Sequence, residues 1–155
     1  MSWRCLLAVG LWLAGCQEAS ALACTAAASS TSFGSYNPAS LLATDGVGNV
    51  RVACSTVLIN VLVGYTISLS AGSSGSYAVR RLQNGSNHLN YNLYSDFTRL
   101  TVWGDGSGGS SSVSDSYLLV VLTLARDYPV YGRIPAGQNV PAGSYADTIL
   151  VTVNY

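Results

Sequence analysis

Residues Tyr131–Tyr155 read YGRIPAGQNVPAGSYADTILVTVNY. Pro135, Gly137, Pro141 and Gly143 mark the first half as turn, after which Ile149, Val151, Val153 and Tyr155 fall at period two. Such alternation is the pattern of a half-buried β-strand with those four side chains on one face. Ser144–Tyr155 is therefore expected to close a sheet, and no later residues supply a neighbour for it. An open apolar edge of this kind is either an aggregation hazard or a docking site.

The opposite end of the chain sets the compartment. Met1–Arg4 is a short positive segment and Cys5–Gly15 (CLLAVGLWLAG) an apolar run, followed by Ala21-Leu22-Ala23 before Cys24. This is the form of a secretory signal peptide over 1–23, and the apolar run is too short to span a bilayer. Leu13-Ala14-Gly15-Cys16 also resembles a lipoprotein processing box, which would leave a lipid on Cys16. The cut after Ala23 is preferred because it starts a domain at Cys24; membrane attachment is expected only if Cys16 is lipidated.

Residues 24–155 are long enough for one domain with its own core. They contain six Arg, six Asp, no Lys and no Glu, and are rich in Ser, Gly, Thr, Asn, Val and Tyr. Strong helix formers are scarce and strand and turn formers dominate, so the chain reads as all-β. A formal charge of zero gives nucleic acid or an anionic membrane no basic patch to bind. Two cysteines remain, Cys24 and Cys54, and in an exported protein they are expected to form a structural disulfide.

Along the domain, Thr31–Asn37 brings Phe33 and Tyr36 as core contacts. Asp45-Gly46 and Gly48 read as turn, and Asn49–Cys54 as a strand. Val57–Val63 and Tyr65–Ser70 read as one long strand, or two joined by a bulge near Gly64. Tyr77–Leu82 leads through Asn84-Gly85, a strong hairpin signal, into His88–Tyr94 with Leu89, Tyr91 and Leu93 inward and Asn90, Asn92 and Tyr94 outward. Thr101–Gly104 is a short strand, Asp105–Ser112 a loop tip, and Tyr117–Leu124 with Tyr128–Ile134 a long apolar stretch. Seven or eight strands at this spacing describe a single β-sandwich.

Chemistry is sparse. The only histidine, His88, lies beside the hairpin turn, and the aspartates at 45, 96, 105, 115, 127 and 147 are scattered over turns. No nucleophile–base–orienter set, carboxylate pair or phosphate-cradling loop stands out. A calcium site would need more oxygen ligands than the Asp105 loop offers, and no cofactor is implied. The tyrosines and Trp103 fit core and cross-strand pairs better than a sugar site.

Several segments in order then resemble the spore coat protein U domain, the subunit type of archaic chaperone–usher pili. They are Cys24-Thr25, Phe33-Gly34 with Tyr36, Cys54, YTISLSAG (Tyr65–Gly72), LNYNLYSD (Leu89–Asp96), VWGDG (Val102–Gly106), VYGRIPAGQ (Val130–Gln138) and GSYADTILVTVNY. Thr56–Val63 and Ser116–Asp127 depart from the family pattern by being more apolar. The resemblance implies an incomplete immunoglobulin-like β-sandwich of about seven strands lacking its final strand. Partners insert that strand: a periplasmic pilus chaperone first, then a neighbouring subunit delivered at an outer-membrane usher. The acceptor groove is expected along Ile149, Val151, Val153 and Tyr155, with the Tyr155 carboxylate in the chaperone's basic cleft. Shaft subunits carry a donor segment before the first cysteine; the cut after Ala23 leaves none, so a terminal position, most simply the tip, is expected. The implied role is a non-enzymatic fibre subunit for adhesion or biofilm formation, exported through the periplasm to the cell surface. The alternative is a stand-alone secreted surface or spore-coat structural protein.

Overall fold

A computed structural model describes residues 22–155, and the expected signal segment lies almost wholly outside them. Eight strands follow in order: β1 (Ala23–Ser32), β2 (Thr44–Ser55), β3 (Val61–Leu69), β4 (Arg80–Asn84), β5 (Asn87–Tyr94), β6 (Val113–Leu119), β7 (Thr123–Ile134) and β8 (Val151–Asn154). They form two antiparallel sheets, ordered β1-β2-β7-β5-β4 and β6-β3-β8. The fold is thus an all-β, two-sheet sandwich.

Alternation decides which side chains enter the core. Val50 and Val52 from β2, Leu93 from β5 and Val130 and Ile134 from β7 face Val63, Ile67 and Leu69 from β3 and Leu119 from β6, all buried. Trp103 closes one side of the sandwich. Its indole Nε1 donates to Ile67 O at 3.0 Å, and bridges Tyr94–Val102 and Trp103–Ser111 carry the chain from one sheet toward the other. The expected strand at Thr101–Gly104 is reduced to these bridges.

The Asn84-Gly85 hairpin forms as expected, with Gly85 at φ 59° and Asn84 opposite Asn87. Leu89, Tyr91 and Leu93 point inward. Asn92 does not point out to solvent. It is buried because it accepts from Arg80 Nη1 (2.7 Å) and donates to Tyr77 O (2.8 Å). Arg80 itself is wholly buried, with Nε and Nη2 donating to Ser70 O and Nη2 also to Trp103 O. The fork of donors satisfies several carbonyls at once, which is what makes a buried guanidinium tolerable.

Three expected strands change extent. β2 begins at Thr44, so Asp45–Gly48 is strand, not turn. The run from Val57 is strand only from Val61: Thr56–Asn60 turns, with Asn60 in the left-handed region at φ 59° that Asn tolerates. The run Tyr117–Leu124 breaks at residues 120–122, between β6 and β7.

Candidate functional site: the open seam between β1 and β8

β1 ends the five-stranded sheet and β8 ends the three-stranded sheet, and neither is paired with the other. The gap between them is a groove of about 350 Å³. Its walls are Ala28 and Thr31 on one side and Ile149 and Val151 on the other, and core side chains Val50, Leu69, Leu93 and Val130 reach its floor. A second cavity of about 980 Å³ shares Thr31, Phe33, Leu82 and Asp147 with it and continues past Tyr36, Val140 and Tyr145. The core is therefore open along one seam.

Local sequence builds each wall. β1 reads ACTAAASSTS, small residues that leave space where an ordinary edge strand would place bulk. Its far end shifts register between Ser29 and Ser32 and crosses the inner face of β2 and β7. Glycines permit that crossing. A Cβ on Gly132 would come within 2.6 Å of the Phe33 ring, and one on Gly48 within 2.5 Å of Thr31 Oγ1. Phe33 then packs edge-to-face on Tyr91 at 5.8 Å. The other end of β1 is fixed by the Cys24–Cys54 disulfide, set directly across the β1–β2 ladder.

β8 is held by β3 alone, through Thr66–Leu69. Ser70 N donates to Leu150 O at 2.9 Å and extends that contact by one residue. Before it, Asp147 anchors the rim: its carboxylate accepts from Ser73 N (3.0 Å), Thr148 N (2.9 Å) and the Tyr91 hydroxyl (2.8 Å). Burial and that carboxylate push the Tyr91 phenol far above the usual tyrosine range. Gly72, at φ +67°, makes room for the carboxylate.

Of the four residues expected on the acceptor face, Ile149, Val151 and Val153 are half-buried and pack on the core. Tyr155 does not join them: it lies past the end of β8 and is 59% exposed. The closing strand is also shorter than Ser144–Tyr155. Residues 135–145 loop over the second cavity, and Ala146 bridges Gln83 instead of extending β8. The period-two pattern anticipated the apolar face of β8, whereas no pattern in the sequence marked β1 as the strand on the other side of the groove. β1 has no apolar alternation to signal a groove; its run of alanine and serine was the available sign.

His88 is exposed on β5 opposite Gln83. Asp115 accepts from Tyr128 and from Arg126, and burial, which alone would raise its carboxyl, is outweighed by those hydrogen bonds, leaving it below the usual carboxylate range. These are packing and ion-pair arrangements. Among the described residues, no three His, Cys, Asp or Glu gather as a metal site.

The geometry defines a β-sandwich whose two sheets are left unjoined along one edge. The chain belongs to the Spore Coat Protein U domain family, whose family model matches residues 13–152. It is 37% identical over 133 residues to Protein U of Myxococcus xanthus, covering 79% of this chain and 70% of that protein. It also resembles a chain in the crystal structure of the CsuC–CsuE chaperone–tip adhesion subunit pre-assembly complex from archaic chaperone-usher Csu pili of Acinetobacter baumannii. The TM-score is 0.55 at 22% identity, over 87% of this chain and 40% of that chain. This chain thus spans well under half the solved chain's length, and the likeness is one of fold.

Proposed function

We propose that this protein is a non-enzymatic subunit of a chaperone–usher surface fibre, and that the β1–β8 groove accepts a strand from a chaperone or neighbouring subunit. One observation carries the reading: two strand edges face each other across a gap floored by Val50, Leu69, Leu93 and Val130. An inserted strand can pair with the free edge of β8 and send alternate side chains into that floor, which is β-augmentation. Ile149 and Val151 line the acceptor side, and Val153, the next inward residue of β8, packs on the core beyond them. The family membership and the Csu-complex fold support the same assignment.

In this reading the chain is exported through the periplasm, meets a pilus chaperone, and is handed to an outer-membrane usher for display on the cell. The finer part of the proposal is a terminal position, at the tip, with a role in adhesion or biofilm formation. The match to Protein U keeps one alternative open, a stand-alone surface or spore-coat protein in which copies exchange strands.

The test is amide hydrogen exchange on the purified protein with a synthetic peptide of alternating apolar residues, or with a co-expressed pilus chaperone. Amides at Val151–Asn154 should gain protection while those of β4 and β5 stay unchanged. Full protection of β8 in the isolated monomer would refute strand acceptance, and protection appearing only in a dimer would favour the exchanged-strand alternative.

A further inference from the structure

The edge that faces the seam is longer than β8. In extended chain the main-chain N–H and C=O groups of successive residues point to opposite sides. On one side, Ala146 exchanges two hydrogen bonds with Gln83 of β4 (2.8 and 3.1 Å), Leu150 O accepts from Ser70 N, and β3 takes the rest of β8. The odd-numbered residues aim their main-chain groups the other way, at the seam. Among the described residues, the main chains of Asp147 and Ile149 make no backbone hydrogen bond. The free edge thus runs back from Val153 to Asp147.

The same odd-numbered residues carry the inward side chains, and one of them is not apolar. Ile149, Val151 and Val153 pack on the core. Asp147 lines both the seam and the second cavity, where the two join. Its Oδ1 accepts from Ser73 N (3.0 Å) and Thr148 N (2.9 Å), and its Oδ2 from the Tyr91 hydroxyl (2.8 Å). A carboxylate has about four acceptor sites, which leaves one on Oδ2 for a further donor.

A strand laid along this edge places an inward side chain about 4.5–5.5 Å from that of Asp147, Cβ to Cβ. A Ser, Thr or Asn side chain at that distance can donate to the carboxylate. A valine there excludes water from the carboxylate and returns no hydrogen bond, which weakens binding by about tenfold. An aspartate adds like-charge repulsion.

We propose that Asp147 selects the incoming strand and fixes its register: the partner segment carries apolar side chains opposite Ile149 and Val151 and a hydroxyl or amide donor opposite Asp147. The inference rests on the strand-acceptor reading and names which strand fits. A wholly apolar strand could slip by two residues along this edge and still bury its side chains. With one polar residue, any slip sets the hydroxyl against an aliphatic side chain and an aliphatic one against the carboxylate. A single buried Asn fixes register in coiled coils in the same way.

The test uses synthetic peptides of alternating valines that differ at one inward residue, Thr, Val or Asp, with a spin label at one end. Fluorescence anisotropy gives affinity, amide exchange of Val151–Asn154 gives the site, and paramagnetic broadening of those amides gives register. The Thr peptide should bind about tenfold more tightly than the Val peptide, and the Asp peptide should bind weakest. Moving the Thr by two residues along the peptide should shift the label by about 7 Å along β8, because the Thr follows Asp147. Asp147→Asn keeps an acceptor for Ser73 N and Thr148 N, and should lower the Thr-to-Val preference below about threefold. Equal binding of the Thr and Val peptides to the unmodified protein, or a label that stays in place when the Thr moves, overturns the proposal; neither comparison depends on the variant folding. Protection of β8 by all three peptides equally refutes only the role of Asp147. Failure of every peptide to protect β8 refutes strand acceptance itself, and this inference with it.

Discussion

Filling the β1–β8 seam in cis should stabilise the fold by a calculable amount. The perturbation is a fusion in which a flexible linker after Tyr155 returns a strand of alternating valines along β8. The groove holds about 350 Å³ and its floor is already apolar, so three valines can enter without displacing Val50, Leu69 or Leu93. Each is worth about 1.5–3 kcal/mol on full burial, roughly 5 kcal/mol together at the low end. Ordering five added residues at about 1 kcal/mol each offsets that burial, and three or four new hydrogen bonds to β8 at about 0.5–1.5 kcal/mol each leave a net gain on the order of 2–3 kcal/mol. That equals a free strand present at about 100 times its Kd. In a domain of this size 1 kcal/mol moves Tm by roughly 3–5 °C, so the fusion should melt about 8–12 °C higher by near-UV circular dichroism. A matched fusion with aspartates at the inward positions should show no gain, and Val151→Asp should abolish the gain of the valine fusion. A shift below about 2 °C, or an aspartate strand that stabilises equally, would refute the idea that the seam is an unfilled strand site.

Three further outcomes follow from the same structure. Cys24→Ser opens a disulfide closing a 30-residue separation and should cost about 3.6 kcal/mol in the chain-entropy picture, read as a lower urea midpoint and lower yield. Arg80→Met leaves Ser70 O and Trp103 O without their buried donor and should cost about 3–5 kcal/mol at an unchanged m-value; a loss under about 1 kcal/mol would contradict the hub role of Arg80. Asp45 is held below the usual carboxylate range by its hydrogen bonds to Arg133, with the charges of Arg133 and Arg99 adding to the effect. Its contribution is thus present above the unfolded carboxyl pKa and lost as pH falls through the lower folded value, so the urea midpoint should stay flat from about pH 7 to 5 and drop below about pH 4, less steeply in Asp45→Asn.

Much of the fold was legible because its signals are local. Asn84-Gly85 specifies its hairpin by turn chemistry alone, and Leu89, Tyr91 and Leu93 reach the core because strand geometry alternates faces. The two cysteines were pairable from compartment and count, and the structure sets them opposite each other on β1 and β2. Legibility failed where neighbours outvoted pattern. Val57–Ile59 and Val120–Leu122 are as apolar as any buried strand, yet they turn outward because β3 pairs with β6 only from Val61 and Leu119 inward. Asn92 sits at an outward position by alternation and is buried because Arg80 needs its carbonyl. Gly46 and Gly48 read as turn in sequence but lie in β2, where the absent side chains admit β1.

For the seam itself the division is similar. Period two at Ile149, Val151 and Val153 was enough to identify one apolar strand face near the C-terminus, since that face depends only on the pitch of extended backbone. Whether the face is covered depends on which strands stand beside it, and that is a property of sheet order. Only the tertiary structure sets β8 beside β3 alone, brings the small-residue edge of β1 across from it, and leaves Tyr155 in solvent beyond the groove. A strand's pattern is written within a few residues, whereas its neighbours come from parts of the chain about a hundred residues away, whose pairing is decided by the core as a whole.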